Sequence, residues 1–128
     1  MAPIQLTAII TPKPGKAQRF LELFEACVQY VQANEPAVHR YELHKGVKDI
    51  NDGKEQFVVL EGYLPNLYLI EKRAYIKITS SYNDQAALDD HMRTPPVVAM
   101  LEAFEKEHLC YTEVIRTTTG PGINKAQI

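Results

Sequence analysis

The chain contains no tryptophan and only 2 cysteines, and its 14 basic residues are nearly balanced by 16 acidic ones. Each shortage excludes something. Cys27 and Cys110 stand alone, without a CxxC or a His/Cys cluster at ligand spacing, so a disulfide framework or structural zinc is not indicated. Both read instead as small buried hydrophobes. There is no basic run, and no basic stripe with interleaved aromatics, which argues against nucleic acid and anionic membrane as partners. No apolar run is long enough to span a bilayer. The opening MAPIQLTAII has no charged region ahead of its apolar residues and no cleavage site. The expectation is a soluble, cytoplasmic protein. What remains is a chain of 128 residues, 45% hydrophobic, which suits one domain with a real core.

Periodicity divides the chain. IQLTAII (4–10) alternates and carries β-branched residues, as a strand does. Pro14-Gly15 then leads into a helix over 16–34, where Ala17, Phe20, Leu21, Phe24, Cys27, Val28 and Val31 recur at three- and four-residue steps. Pro36 stops it. AVHRYELHK (37–45) and QFVVLEGY (56–63) read as strands around a turn signalled by Asp52-Gly53. LPNLYLIEKR (64–73) fits neither period, and AYIKITS (74–80) is again strand-like. Asn83 or Asp84 can cap a short helix through DQAALDDHM. Thr94 followed by Pro95 opens another, with Val97, Val98, Leu101 and Phe104 on one face. HLCYTEVIRT (108–117) is the last strand. The domain is expected over 1–116, and 117–128 as a tail or arm with little to bury.

The order β-α-β-β-(extra β)-α-α-β predicts an α+β, ferredoxin-like split βαβ plan, with helices on one face of an antiparallel sheet. The other face is then bare, and Ile9, Val59, Phe57 and Tyr111 or their alternates place apolar side chains there. Each large apolar side chain forgoes ~1.5–3 kcal/mol when left in water. A second copy, sheet against sheet, is the simplest cover, so a homodimer is expected. Arg40, Glu42 and His44 share one side of the second strand and would pair across such an interface.

In four segments the sequence resembles the antibiotic biosynthesis monooxygenase (ABM) domain family, whose members are dimeric α/β barrels. KPGKAQRFLELFEA resembles the family's helix opening and EPAVHRYELHK its second strand. EQFVVLEGY resembles the third strand, and DQAALDDHMRTPPV the Ala-x-x-x-His helix followed by a proline turn. Three departures stand out. Family members pass directly from a strand ending Glu-x-Trp into the capped helix, so 62–80 reads as an insertion. The family's tryptophan is replaced by Tyr63 or Tyr82. Pro96 stands where a histidine often follows the proline. Met100-Leu101 occupies the place of the histidine that haem-degrading relatives carry, which disfavours haem degradation.

His91 shares a helical face with Ala87 and Leu88, so it points at the sheet. A lone histidine there can be a packed core group. The resemblance implies a second role, since the position matches the family's pocket-facing histidine. An imidazole titrates near ~6.5 and could take a phenolic proton at neutral pH. Tyr41 is a second candidate, either as a core tyrosine or as a substrate-binding one, and Tyr63 and Tyr82 compete for one place in a pocket wall. Asp89 and Asp90 read as a solvated helix side, being ~100° apart on a helix. His39, His44 and His108 form no HxH or HExxH pattern, and GPG at 120–122 is no phosphate loop.

The resemblance implies an oxygenase that needs neither metal nor flavin, acting on a small phenol, quinol or anthrone with dioxygen. An isomerase or decarboxylase on the same scaffold, and a non-catalytic ligand-binding or stress-response protein, remain open alternatives.

Overall fold

The computed structural model describes residues 4–50, 52–63, 85–118, 120–123 and 125. Its elements are β1 (Ile4–Pro12), α1 (Ala17–Asn34), β2 (Val38–Lys45), β3 (Phe57–Tyr63), α2 (Ala86–Met92), α3 (Pro95–Glu107) and β4 (Cys110–Thr117). The strands form one antiparallel sheet in the order β2-β3-β1-β4. This is the expected ferredoxin-like arrangement. Among the expectations, the strand-like run 74–80, the insertion beyond Tyr63, the capping residues Asn83 and Asp84, and Tyr82 lie outside the described residues.

Local chemistry sets the junctions that matter for the site. Gly15 turns the chain at φ 77°, a conformation glycine enters without a Cβ clash, and α1 begins two residues later. At its other end Glu35 precedes Pro36, whose ring disfavours the helical region for the residue before it. Glu35 accordingly leaves the helix at φ −122°, ψ 75°, while its N–H still donates to the Val31 carbonyl at 3.0 Å. The Asp52-Gly53 signal holds: both residues take positive φ, 56° and 72°. Between α2 and α3, Thr94 takes the cap position in extended conformation with proline in the first turn. Its hydroxyl donates back to the His91 carbonyl at 2.8 Å, not forward into α3. That bond ties the two helices at a tight corner.

The helices cover one sheet face. Ile4, Ala8 and Ile10 of β1, and Phe57, Val59 and Tyr63 of β3, are buried under them. Phe20 is the hub, with ring centroids 5.4–5.9 Å from Phe24, Phe57 and Phe104. Two expectations need correction here. Phe57 and Val59 belong to the covered face, because the register pairs Val59 with Ala8 and Phe57 with Ile10. The open face carries their alternates Val58 and Leu60, together with Ile9, Tyr111 and Ile115. On α3, Val97, Met100 and Ala103 are buried, whereas Val98 and Leu101 are partly exposed. The buried stripe is therefore rotated from the expected one, because α3 packs on α1 while Val97 and Met100 join the core over β1 and β3. Cys27 is buried as expected, Cys110 only half so, and both thiols are free. Burial pushes each up to about 11, away from the reactive thiolate.

Candidate functional site

A cavity of about 360 Å³ lies between the sheet and its helices. Its floor is Leu6, Ala8 and Ile10 of β1 with Val59 of β3, and Phe20 and Phe24 of α1 form one wall. Leu88, His91 and Met92 of α2 and Val97, Met100 and Leu101 of α3 form the roof. The volume is at the small end of the ~300–1,000 Å³ range of small-molecule pockets. Few polar groups enter this lining. Tyr41, Glu61, Gln85, Asp89, His91 and Thr112 are the ones that do.

His91 is the most constrained of them, with 2% of its side chain exposed. The periodicity argument placed it correctly on the inner face of α2, beside Ala87 and Leu88. Its Nδ1 lies 3.0 Å and 3.2 Å from the two carboxylate oxygens of Glu35. A carboxylate only accepts, so this contact places the ring hydrogen on Nδ1 and leaves Nε2 as the nitrogen able to take a proton. The ring also packs edge-on to Tyr41 at 4.9 Å and against Tyr63 at 5.5 Å. A histidine buried this deeply beside a carboxylate is held in one orientation.

Glu61 is the second polar group of note. It lies on the covered face of β3, where the Tyr63 hydroxyl donates to its Oε1. Burial pushes its carboxyl above the ordinary carboxylate range, and the Tyr63 hydrogen bond and the nearby His91 only partly offset this. The cavity thus contains a carboxyl held above its ordinary range beside an oriented imidazole.

The sequence candidates fall out as follows. His91 and Tyr41 both line the cavity and touch each other. Tyr41 stacks on Phe24 at 4.9 Å, so it offers the cavity mainly its ring. Burial drives its hydroxyl far above its ordinary range. Tyr63 is fully buried and stands behind Glu61 and His91; it is not among the lining residues. Tyr82 lies outside the described residues. Asp89, read as part of a solvated side, rims the cavity and accepts from Gln85 at 3.3 Å, whereas Asp90 faces solvent beside Arg93. Sequence reasoning missed Glu35 and Glu61 as site residues. Glu61 alternates in register with Phe57 and Val59, a signal that could have found it. For Glu35 there was no local signal, since its partner is 56 positions away.

No group of three or more His, Cys, Asp or Glu side chains among the described residues could hold a metal ion. No helix among them is long and apolar enough to cross a membrane.

Fold and cavity together define a ferredoxin-like α+β protein with a ligand-sized chamber beneath its helices. The antibiotic biosynthesis monooxygenase family profile matches residues 3–63, so the first half of the chain carries that family's pattern and the resemblance read from sequence holds there. Solved structures extend the likeness over nearly the whole chain. A Pseudomonas aeruginosa protein superposes with a TM-score of 0.66 at 20% identity, over 94% of this chain and 97% of its own. A Caulobacter crescentus protein, provisionally described as an antibiotic biosynthesis monooxygenase, gives 0.62 at 21% identity over 92% of both chains. A variant of SnoaB, a cofactor-independent oxygenase from Streptomyces nogalater, gives 0.64 at 14% identity over 98% of this chain and 100% of its own. At such identities these neighbours speak for the fold. Comparison with curated proteins finds no match.

Proposed function

We propose that this protein is a cofactor-independent monooxygenase that oxidises a small aromatic metabolite of the phenol, quinol or anthrone class. The observation that carries the reading is His91, buried at the wall of an apolar cavity with Nδ1 fixed by Glu35. The match to the monooxygenase family over 3–63 supports it. In this chemistry the substrate is the reductant. His91 Nε2 takes the phenolic or anthrone proton, and the electron-rich anion passes an electron to dioxygen. Recombination and loss of water convert a ring methylene and dioxygen into a carbonyl and water, so atoms and electrons balance without another reductant. An apolar chamber favours this course because the anion meets dioxygen, not bulk acid.

Oxygen uptake with a panel of anthrones and quinols is the direct test, and substrate-dependent uptake by the purified protein is the expected result. His91→Ala should then lose about 10²–10⁴ in rate, the worth of a positioned base. If none of the panel consumes oxygen but a carbonyl substrate exchanges its α-proton, the second reading applies. That reading is an isomerase, favoured by Glu61, whose carboxyl burial holds above its ordinary range beside the base, since one group can take a proton while the other supports the enol oxygen. Ligand binding without turnover or exchange would leave a binding protein.

The working form proposed is a homodimer closed through the open sheet face. There Tyr111 and Ile115 are 68% and 50% exposed, beside Ile9, Val58 and Leu60. Arg40 and Glu42 pair with each other on that face within one strand, so a partner would meet a neutralised pair.

A further inference from the structure

A buried base that takes a proton becomes a cation, and an apolar wall offers that charge no partner. His91 is buried to 2% exposure beside a cavity whose lining is mostly apolar. Its Nδ1 touches both oxygens of Glu35. Glu35 is not a cavity residue. Its side chain is 11% exposed and lines two clefts on the far side of His91. One cleft, of about 300 Å³, lies between α1 and β2, with Gln32, Pro36 and His39. The other, of about 310 Å³, lies between α1 and the α2–α3 corner, with Asn34, Asp90, Arg93 and Thr94. Backbone geometry holds the carboxylate there. Pro36 keeps Glu35 out of the helix, its N–H is bonded to Val31, and its carbonyl accepts from Val38 at 3.1 Å.

From this arrangement we infer that Glu35 is a positioning residue: it fixes His91 in the Nδ1–H tautomer and stabilises the imidazolium formed while Nε2 holds the substrate's proton. The inference rests on the cavity being the reaction chamber. The substrate proton adds to His91 Nε2, and the imidazolium so formed is held against the Glu35 carboxylate. When the peroxide O–O bond breaks, Nε2 returns that proton to the oxygen that leaves as water, and His91 is again neutral with its hydrogen on Nδ1. No electron passes through either side chain, and the proton count is conserved, since a methylene and dioxygen give a carbonyl and water. The charged and titratable groups around His91 are Glu35 from the end of α1, Tyr41 from β2, and Glu61 and Tyr63 from β3. Of these, Glu35 and Tyr41 both line the cleft between α1 and β2, and Glu35 alone lines the one with Asp90 and Arg93.

Two measurements test this without requiring oxygen turnover. Nitrogen-15 NMR of the unliganded protein should show His91 as a single Nδ1–H tautomer. In Glu35→Gln, whose amide can either accept or donate, that should become a mixture, and Glu35→Asp should restore part of it. Binding of a nitrophenol, whose anion absorbs visible light, reports base strength in the cavity. A neighbouring opposite charge favours a charged partner by about ten- to thousandfold. Wild-type protein should therefore ionise the bound probe at least about tenfold more than Glu35→Gln at the same pH, and His91→Ala should abolish the difference. A wild-type Nε2–H tautomer, or equal ionisation by wild type and Glu35→Gln, would overturn the positioning role. The expected tautomer and probe behaviour with no oxygen uptake on any substrate would instead remove the oxygenase reading and leave the positioning role standing.

Discussion

At the scale of single residues, the site is governed by what burial does to ionisable groups. Glu61 illustrates the sign. Burial raises its folded-state pKa above the ordinary carboxylate value, so the folded protein holds this proton more tightly than the unfolded chain does. Below the ordinary carboxylate range both states are protonated and no penalty arises. As pH climbs from there through the raised folded value, the unfolded chain ionises first and stability falls. Glu61→Gln removes the titration and keeps an oxygen to accept from Tyr63. Its melting temperature should match wild type in acid and exceed it at neutral pH, as thermal melts across a pH series would record. Equal curves would mean that Glu61 is ionised without cost. The same residue was visible in sequence as part of the strand alternation of QFVVLEGY. Its chemical importance was not, because a carboxylate on a covered strand face acquires its properties only once helices seal it.

Elements explain how these residues are delivered. The helix over 16–34 and the alternating strands were legible because period is a local property of the chain. The start of β2 was less so. Pairing with β3 slips between Val38 and Arg40, and the additional residue, His39, lays its imidazole over Gly62. A Cβ at Gly62 would meet His39 Nε2 at 2.6 Å and Cε1 at 2.8 Å. Gly62→Ala should therefore destabilise the wild type through displacement of His39 from its rotamer, at about 0.5–1.5 kcal/mol. In a His39→Ala background that clash is gone, and a tight approach to Arg40 Cβ at 3.3 Å is what remains. The same change should then be neutral or stabilising, because alanine lowers the entropy of the unfolded chain. A double-mutant cycle by denaturant titration measures the coupling, and additivity would show that the bulge accommodates the methyl elsewhere. Helix-to-helix contacts on the surface matter less. The Arg19–Glu107 pair joins α1 to α3 at 3.0 Å but sits in solvent, where screening and side-chain entropy consume most of its benefit.

For the whole molecule the open sheet face is decisive. It carries Ile9, Val58, Leu60, Tyr111 and Ile115 among threonines and charged groups, a mixed surface suited to a partner sheet. Ile115→Lys places a charge on edge strand β4 of that face, away from the cavity side. Sedimentation should show wild-type dimers and mutant monomers, and wild-type melting temperature should rise with protein concentration while the mutant's does not. Wild-type protein sedimenting as a monomer would remove the dimer proposal.

Element order, the direction of His91, and the likeness to a monooxygenase family were written in the chain itself, because period, turn chemistry and motif spacing act over a few residues. Which strand face is covered, how α3 is rotated, and that Glu35 meets His91 were decided only by tertiary packing. Those contacts join residues dozens of positions apart, and nothing in a local pattern encodes the distance at which a folded chain brings a carboxylate to an imidazole.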